Sequence, residues 1–579
     1  MDASGTGTRD ARVAALLLSV LAAAAAAMVF QVYGAADGLD PVDYIRSGLI
    51  LLSTWWLAWG AAQALLGLTA RHRVTTHSTA PILGRSVVLV PVYNEDPRVT
   101  FARVAAMDAS LAAIGDPAVV DFAILSDTRS EVIAAQETAW FAHLLADRGG
   151  AGRMFYRRRV LNTGRKAGNI EDFITTSGAA WDYAVILDAD SLMDGATVLE
   201  MIRRTEADPR LGLLQTLPRV VRARSRFGRA MQFSAGFHSL IFARGQAAMQ
   251  GRTGPFWGHN AIIRIRAFAE SCGLPELPGR PPFGGPILSH DYVEAALLAR
   301  AGWTVRLDTD LDGSFEEGPE NIVDHAKRDR RWCQGNLQHS KLLFAPGLKL
   351  WSRFVFFQGI FAYIAPVFWL AFMLASVAAV FWAHPPDYFP QENWPIPVFP
   401  VDQRSKAVGL AVGIFGLLIL PKLAIGITAI WNGRGPGFGG ALLALRSVLA
   451  ELALSTIVAP VLLAFQTRSV MQVVLGRDGG WPPNNRGDGS LTLDEAWVAA
   501  RWITWWGLLS LTSAHWLAPS LTLWLLPVTL PMILSPWIIQ ITSQTSRARV
   551  FTVPEELALP DILARHDAVL ARWPDTIPA

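Results

Sequence analysis

Apolar residues fall along this chain in runs of two lengths, and each length predicts a different element. Long runs occupy 13–32, 45–68, 351–382, 407–431 and 517–541. Each is long enough for a helix to cross a bilayer, which takes about 20 residues. Short aliphatic runs, such as 87–90, 122–125 and 183–187, stand between stretches with helical spacing. That alternation marks buried strands and covering helices in a parallel α/β sheet. The short runs fall within 84–346. The pattern therefore predicts an α/β domain inserted into a polytopic α-helical membrane domain.

The flanks of the long runs predict their orientation. Residues 1–10 are polar and are expected to form a disordered tail. Residues 11–70 read as a helical hairpin. Arg9 and Arg12 precede its first run, and Arg71, His72 and Arg73 follow its second, which puts both ends inside. The membrane region resumes over 347–545, with a Pro-rich outer loop at 384–403. Arg446, Glu451 and Pro460 interrupt the stretch 441–475 and leave two readings open. It is either a short hairpin or an interfacial helix plus one span. A hairpin places the Gly-rich loop near 475–495 in the cytoplasm, the favoured side, and a single span places it outside. Runs 502–516 and 517–541 are expected as a closing pair of spans. A cytoplasmic tail, 546–579, carries a short amphipathic helix from Pro554.

Composition narrows the class of partner. With 51% apolar and only 17% charged residues, the chain has a membrane protein's balance. Its 22 tryptophans suit belts at the lipid headgroups. A net charge of +3 argues for no nucleic-acid partner. Cys272 and Cys333 stand far apart and predict neither a disulfide framework nor a zinc site.

The chemistry gathers at the ends of the short runs. Asp188 and Asp190 follow 183–187, and alternate residues of an extended chain face the same way. Both can therefore reach one divalent cation at the C-terminal edge of the sheet, where open α/β sheets bind ligands. Two hard oxygens suit Mg²⁺ or Mn²⁺. The plainer alternative is a strand ending in a solvated acidic turn. Asp127 ends another strand, where it can hold a base or a sugar. Lys166, near a helix start, adds positive charge for a diphosphate. Pro91 is expected to stop the first strand and leave Tyr93, Asn94 and Glu95 in a loop. The basic turn Arg157-Arg-Arg159 reads as solvated or lipid-facing surface, and Glu316 and Glu317 as parts of a turn near the site.

In order, Pro91-Val-Tyr-Asn-Glu95, Lys166-Ala-Gly-Asn169 and Asp188-Ala-Asp190 resemble the cytoplasmic domain of family 2 glycosyltransferases, which have the GT-A (nucleotide-diphospho-sugar transferase) fold. Gly258-His-Asn260 resembles that family's acceptor-proximal loop. Ser289-His-Asp291 resembles the element whose aspartate is the catalytic base. Arg328-Asp-Arg-Arg-Trp332 resembles its Gln-x-x-Arg-Trp motif, with Arg328 in the Gln position. Phe256-Trp-Gly-His-Asn260 and Trp332-Cys-Gln-Gly-Asn-Leu-Gln-His339 resemble one subfamily more closely. Its members build the backbone of osmoregulated periplasmic glucans in Gram-negative bacteria.

The resemblance implies roles for the matching residues. Asp291 would be the catalytic base, and Asp188 and Asp190 would hold Mg²⁺ (or Mn²⁺). Tyr93, Glu95, Asp127, Lys166 and Arg331 would bind UDP-glucose. Trp257, His259, Asn260 and Trp332 would face the growing glucan. Gly479, Gly480 and Trp481 would belong to a gating loop. It also implies an inner-membrane enzyme with its catalytic domain in the cytoplasm, surrounded by membrane lipid, inverting at the sugar and exporting a β-linked polymer. Some relatives depend on acyl carrier protein. Two other readings stay open: a cellulose, chitin or hyaluronan synthase, and a transporter with an inactive α/β regulatory domain. The intact set of Asp127, Asp188, Asp190, Asp291 and Arg331 argues against the transporter.

Overall fold

A computed structural model describes residues 3–34, 39–70, 81–115, 120–382, 388, 395–397, 404–477 and 489–577. Two long helices, α1 (Ala3–Gly34) and α2 (Pro41–Thr69), open the chain and pack on each other. Residues 3–10, expected to be disordered, are instead the first turns of α1. Arg12 shows what holds that end. Its Nε donates to the Met249 carbonyl at 2.6 Å, and its Nη2 to the Gln250 carbonyl and to Thr253 Oγ1. The guanidinium also lies 4.0 Å over the ring of Trp351.

The α/β unit follows as β1 (Ser86–Val92), α3 (Pro97–Ile114), β2 (Val120–Ser126), α4 (Glu131–Arg148), β3 (Met154–Arg158), α5 (Arg165–Ser177) and β4 (Tyr183–Ile186). Next come β5 (Leu192–Met193), α6 (Gly195–Ala207), β6 (Leu211–Gln215), β7 (Arg219–Val221), α7 (Arg226–Ser234), α8 (Leu240–Gln250) and β8 (Ala261–Arg264). The unit closes with α9 (Ile265–Ser271), α10 (His290–Arg300), β9 (Thr304–Leu307), β10 (Ser314–Glu317) and α11 (Ile322–Gln338). Seven strands form one sheet in the order β3-β2-β1-β4-β8-β6-β9, and β5, β10 and β7 form a small second sheet.

The large sheet is mixed, where a parallel one was expected. β8 runs antiparallel to both β4 and β6. The chain re-enters through 251–260 at the edge where β4 ends, so Ala261 pairs with Ile186. The central strands are apolar throughout because both faces are covered. Val88 and Val90 pack with Phe101, Phe122 and Val185 on one face, and Val87 and Leu89 with Ile170, Phe173 and Ile186 on the other. Pro91 lies inside β1 and does not end it. Pairing to β4 stops at Leu89, so the missing N–H leaves no ladder bond unmade on that side.

The membrane half comprises α12 (Leu350–Ala379), α13 (Arg404–Trp431), α14 (Ala441–Val474), α15 (Leu493–Leu517), α16 (Thr522–Ile533) and α17 (Ser535–Ser543). Among the described residues, five helices are long and apolar enough to cross a membrane: α1, α2, α12, α13 and α14. The pair α16–α17, bent by 56°, makes a sixth if counted as one. The protein is thus a multi-pass membrane protein. The run 502–516 was expected to span, but α15 is not in this set. Thr504, Ser510, Thr512, Ser513 and His515 dilute its apolar run.

The ambiguous stretch 441–475 is one helix, α14, with Pro460 inside it. Parity would then send the next loop outside, yet its flanks meet the α/β unit. α14 lies along α11, with Val458 and Val461 near Ile322 and with Val470 and Val473 near Cys333 and Leu337. Its first turns join Phe237 and Ile241. Arg330 Nη2 donates to the Arg477 carbonyl at 2.8 Å, and Asn321 Nδ2 to that of Gly489 at 2.9 Å. Gly479, Gly480 and Trp481 lie outside the described residues. The tail forms α18 (Pro554–Leu557) and α19 (Asp561–Arg572), and α19 packs on α3.

Candidate active site

β4 ends at Ile186, and the next residues turn. The Asp188 N–H donates to Ser191 Oγ, and the Ser191 N–H to the Asp188 carbonyl, both at 3.0 Å. A turn places the two carboxylates, where alternation along an extended strand was expected. Lys166 Nζ donates to Asp188 Oδ1 and, at 2.8 Å, to the carbonyl of Gly258. The start of α5 presents that lysine. A Cβ at Gly168 would run into the Thr163 carbonyl, so this turn closes only around glycine. Burial alone would raise the pKa of Asp188. Lys166, His259 and Arg328 outweigh it and hold the carboxyl below its ordinary range. The Asp188 side chain keeps 37% exposure. An ionised, open carboxylate beside a second one suits a hard cation that completes its shell with phosphate and water. Among the described residues, no group of three or more His, Cys, Asp or Glu gathers as an all-protein metal cage.

Gly258 joins this edge to the base. Its φ is +83°, a conformation that glycine adopts freely. A Cβ there would lie 3.6 Å from Asp291 Cβ and 3.9 Å from Asp291 Oδ2. One backbone turn thus touches Asp291 and, through its carbonyl, Lys166. Asp291 sits in the first turn of α10, and α11 fixes that turn. Gly335 packs so closely on Ser289 that a side chain there would collide with the serine hydroxyl. Burial pulls His339 down to about 4, so it is neutral and its Nε2–H donates to the Ser289 carbonyl at 2.9 Å. Gln338 accepts from the Leu288 N–H and donates to the Pro286 carbonyl. Gly335, Gln338 and His339 therefore form a buttress behind the turn that carries Asp291. Burial raises the Asp291 pKa. His290 opposes the rise and Glu294 adds to it, while the N–H groups of Tyr292 and Asp291 oppose it. His290 Nδ1 stands 3.0 Å from Glu294 Oε2.

The model for "Glycosyl transferase family group 2" matches residues 183–396, which include Asp188, Asp190, Gly258 and Asp291. The chain is 63% identical to "Glucans biosynthesis glucosyltransferase H" of Cereibacter sphaeroides, over 99% of this chain and 97% of that protein. The chain belongs to that family. It is also 37% identical to the glucans biosynthesis glucosyltransferase H of Vibrio cholerae, over 96% of this chain and 78% of the relative. Among solved structures it resembles the mannosyltransferase PcManGT from Pyrobaculum calidifontis, described in complex with GDP-Man and Mn²⁺. That likeness has 13% identity and a TM-score of 0.47, over 76% of this chain and all of the other.

In this glucosyltransferase H family member the remaining residues divide. Arg331 stands near Asp188. Burial and then Arg328 pull it down to about 10, which leaves it cationic at neutral pH. The Arg328 guanidinium lies 4.6 Å over the ring of Trp332, which is 44% exposed. Trp257 is half-buried, and its N–H donates to Gln215 Oε1 at 2.9 Å. His259 Nε2 faces Glu316 Oε2 at 3.6 Å. Glu316 is on strand β10, where a turn was expected. Burial raises its pKa against His259 and Arg328, with Asp190 and Asp188 adding to the rise.

Three expectations change. Asn260 is fully buried, so its side chain does not reach an acceptor. Its Nδ2 donates to Ser314 Oγ at 2.9 Å and ties β8 to the small sheet. Asp127 is buried and held by both arms of Arg159, at 2.8 Å each. The turn read as surface therefore supplies the partner of a strand-end carboxylate. Glu95 turns back onto the N–H of Tyr93 and shapes the loop after β1. Glu294, Glu316 and Arg159 lay outside the predicted set. Glu316 and Arg159 are marked only by long-range pairing with His259 and Asp127, whereas Glu294 stands one helical turn from His290.

Proposed function

We propose that the protein transfers glucose from UDP-glucose, with inversion, to the end of a growing β-linked glucan. The site faces the cytoplasm at a bacterial inner membrane, and the membrane helices pass the product outward. The observation that carries this reading is the turn at Gly258, which sets Asp291 beside the Lys166–Asp188 pair. A charge holder and a proton acceptor then lie within one sugar's reach of each other.

In this reading the Asp291 carboxylate takes the proton of the acceptor hydroxyl as that oxygen bonds to the anomeric carbon. The bond from that carbon to the UDP oxygen breaks, and attack from the opposite side inverts the centre. Asp188 and Asp190 would hold Mg²⁺ or Mn²⁺, which when bound supplies positive charge against the diphosphate. Lys166 and Arg331 would take other phosphate oxygens, the guanidinium as a fork. Tyr93 would flank the uridine on the β1–β2 side, where Arg159 fixes the Asp127 carboxylate. Trp332, Trp257 and His259 would line the acceptor side. The test uses purified protein in lipid vesicles with Mg²⁺ or Mn²⁺ and labelled UDP-glucose. Labelled polymer that β-glucanase degrades is expected. Preference for UDP-N-acetylglucosamine, or no polymer, would contradict the reading.

A further inference from the structure

The peptide between Asp188 and Asp190 is held from behind by another element. Arg103, on α3, is 4% exposed. Its Nη1 donates to the Ala189 carbonyl at 2.9 Å, and its Nη2 to Glu317 Oε1 at 2.7 Å. A guanidinium is a rigid fork, so anchoring one arm on Glu317 sets where the other arm points. Glu317 also offsets the cost of burying that charge.

A second set of contacts leads from this fork to the C-terminal tail. His566, on α19, is fully buried. Burial, then Arg103 and Arg222, push its pKa down to about 3, so the ring is neutral. Its Nδ1 accepts from Arg222 Nη1 at 2.9 Å, and its Nε2 faces the Val99 carbonyl of α3 at 3.4 Å. Arg222 also bonds Asp567 and lies 3.9 Å from Glu317 Oε1. At the start of α3, Arg98 donates to the carbonyls of Leu570, Trp573 and Pro574. Trp573 stacks on Trp140 with ring centroids 5.4 Å apart. The tail thus clamps α3, the helix that carries Arg103 and follows the Tyr93–Glu95 loop.

We propose that Arg103 is a positioning residue for Asp188 and Asp190, acting through the Ala189 carbonyl, and that α19 locks it through His566. The C-terminal tail then sets how tightly the site takes a divalent cation together with a nucleoside diphosphate. This deepens the function proposed above and rests on it. A purely structural role for Arg103 would lower thermal stability and leave the response to the cation alone.

The test titrates Mn²⁺ into full-length protein in detergent, reading UDP binding by calorimetry and free Mn²⁺ by electron paramagnetic resonance. Arg103→Lys keeps the charge and loses the fork. His566→Leu loses the lock, and His566→Gln keeps a donor and an acceptor. Arg103→Lys and His566→Leu are expected to raise the Mn²⁺ concentration for half-maximal UDP binding about tenfold or more, the usual scale for groups that orient metal ligands. His566→Gln is expected to restore the wild-type response. Folded variants that titrate like wild type would overturn the inference. If Arg103→Lys fails to fold, the His566 pair decides: a shift reversed by glutamine supports it, and no shift overturns it. Wild-type protein that binds UDP without responding to Mn²⁺ would instead overturn the assignment of Asp188 and Asp190, and this inference with it.

Discussion

Asp188 and Asp291 stand on either side of Gly258, and their surroundings push them in opposite directions. Around Asp188 burial would raise the pKa, and Lys166, His259 and Arg328 outweigh it and hold it down. Around Asp291 burial raises the pKa, and His290, which opposes the rise, does not outweigh burial with Glu294 added to it. The proposed roles follow this difference: one carboxylate would carry charge continuously and the other would accept a proton. The supports differ too. Asp188 belongs to a turn tied by Ser191, Lys166 and, through Ala189, Arg103. Asp291 belongs to a helix start pressed from outside by Gly335, Gln338 and His339. Residue type alone does not separate the two surroundings; the balance of burial against neighbouring charge does.

The largest effect expected from breaking this contrast is that of Asp291→Asn. Glucose incorporation should fall by roughly 10²–10⁴-fold, the range for losing a general base. Asp188→Asn should follow, with about 10²–10³-fold lost from kcat/KM and the loss concentrated in the dependence on cation. Near-normal turnover in steady-state assays of either variant would break the contrast at that residue. Gly258→Ala tests the hinge between the two sides. A side chain in the left-handed region costs about 1–3 kcal/mol and here also lies against Asp291, so the thermal midpoint should fall and kcat should drop about tenfold.

The smallest expected effect is the position of the acid limb. In the proposed reaction Asp291 works as the anion, and its pKa is raised. Lowering the pH therefore protonates it earlier than a carboxylate of about 3.9, and the acid limb of kcat/KM, which reports the free enzyme, is expected above that value. A limb of kcat/KM at or below about pH 4 would mean that burial and Glu294 do not act on the base as described.

Part of this contrast was legible in the sequence. The short apolar runs marked β1, β2 and β4, and the motifs marked Asp188, Asp190, Lys166 and Asp291 in chain order. Continuous apolar strands and motif spacing are local signals. The antiparallel β8 was not readable, because the direction of entry depends on where the loop at 251–260 crosses the sheet edge. Strands β6 and β9 are short, and such runs do not separate from helix by periodicity. Asn260 carried a motif signal yet serves the small sheet, since burial is set by a strand more than fifty residues on. The grip of Arg159 on Asp127 was missed because three consecutive arginines look the same in sequence, and the third is the one that pairs with Asp127. The path from α19 to Arg103 joins residues hundreds of positions apart and left no local trace.

The central claim is that binding the donor and removing the proton belong to different aspartates. Its most direct measurement is cation-dependent UDP binding by Asp291→Asn. Affinity equal to wild type, in protein that makes no glucan, is the predicted result. Loss of UDP binding along with activity would contradict it and place Asp291 on the donor side of the site.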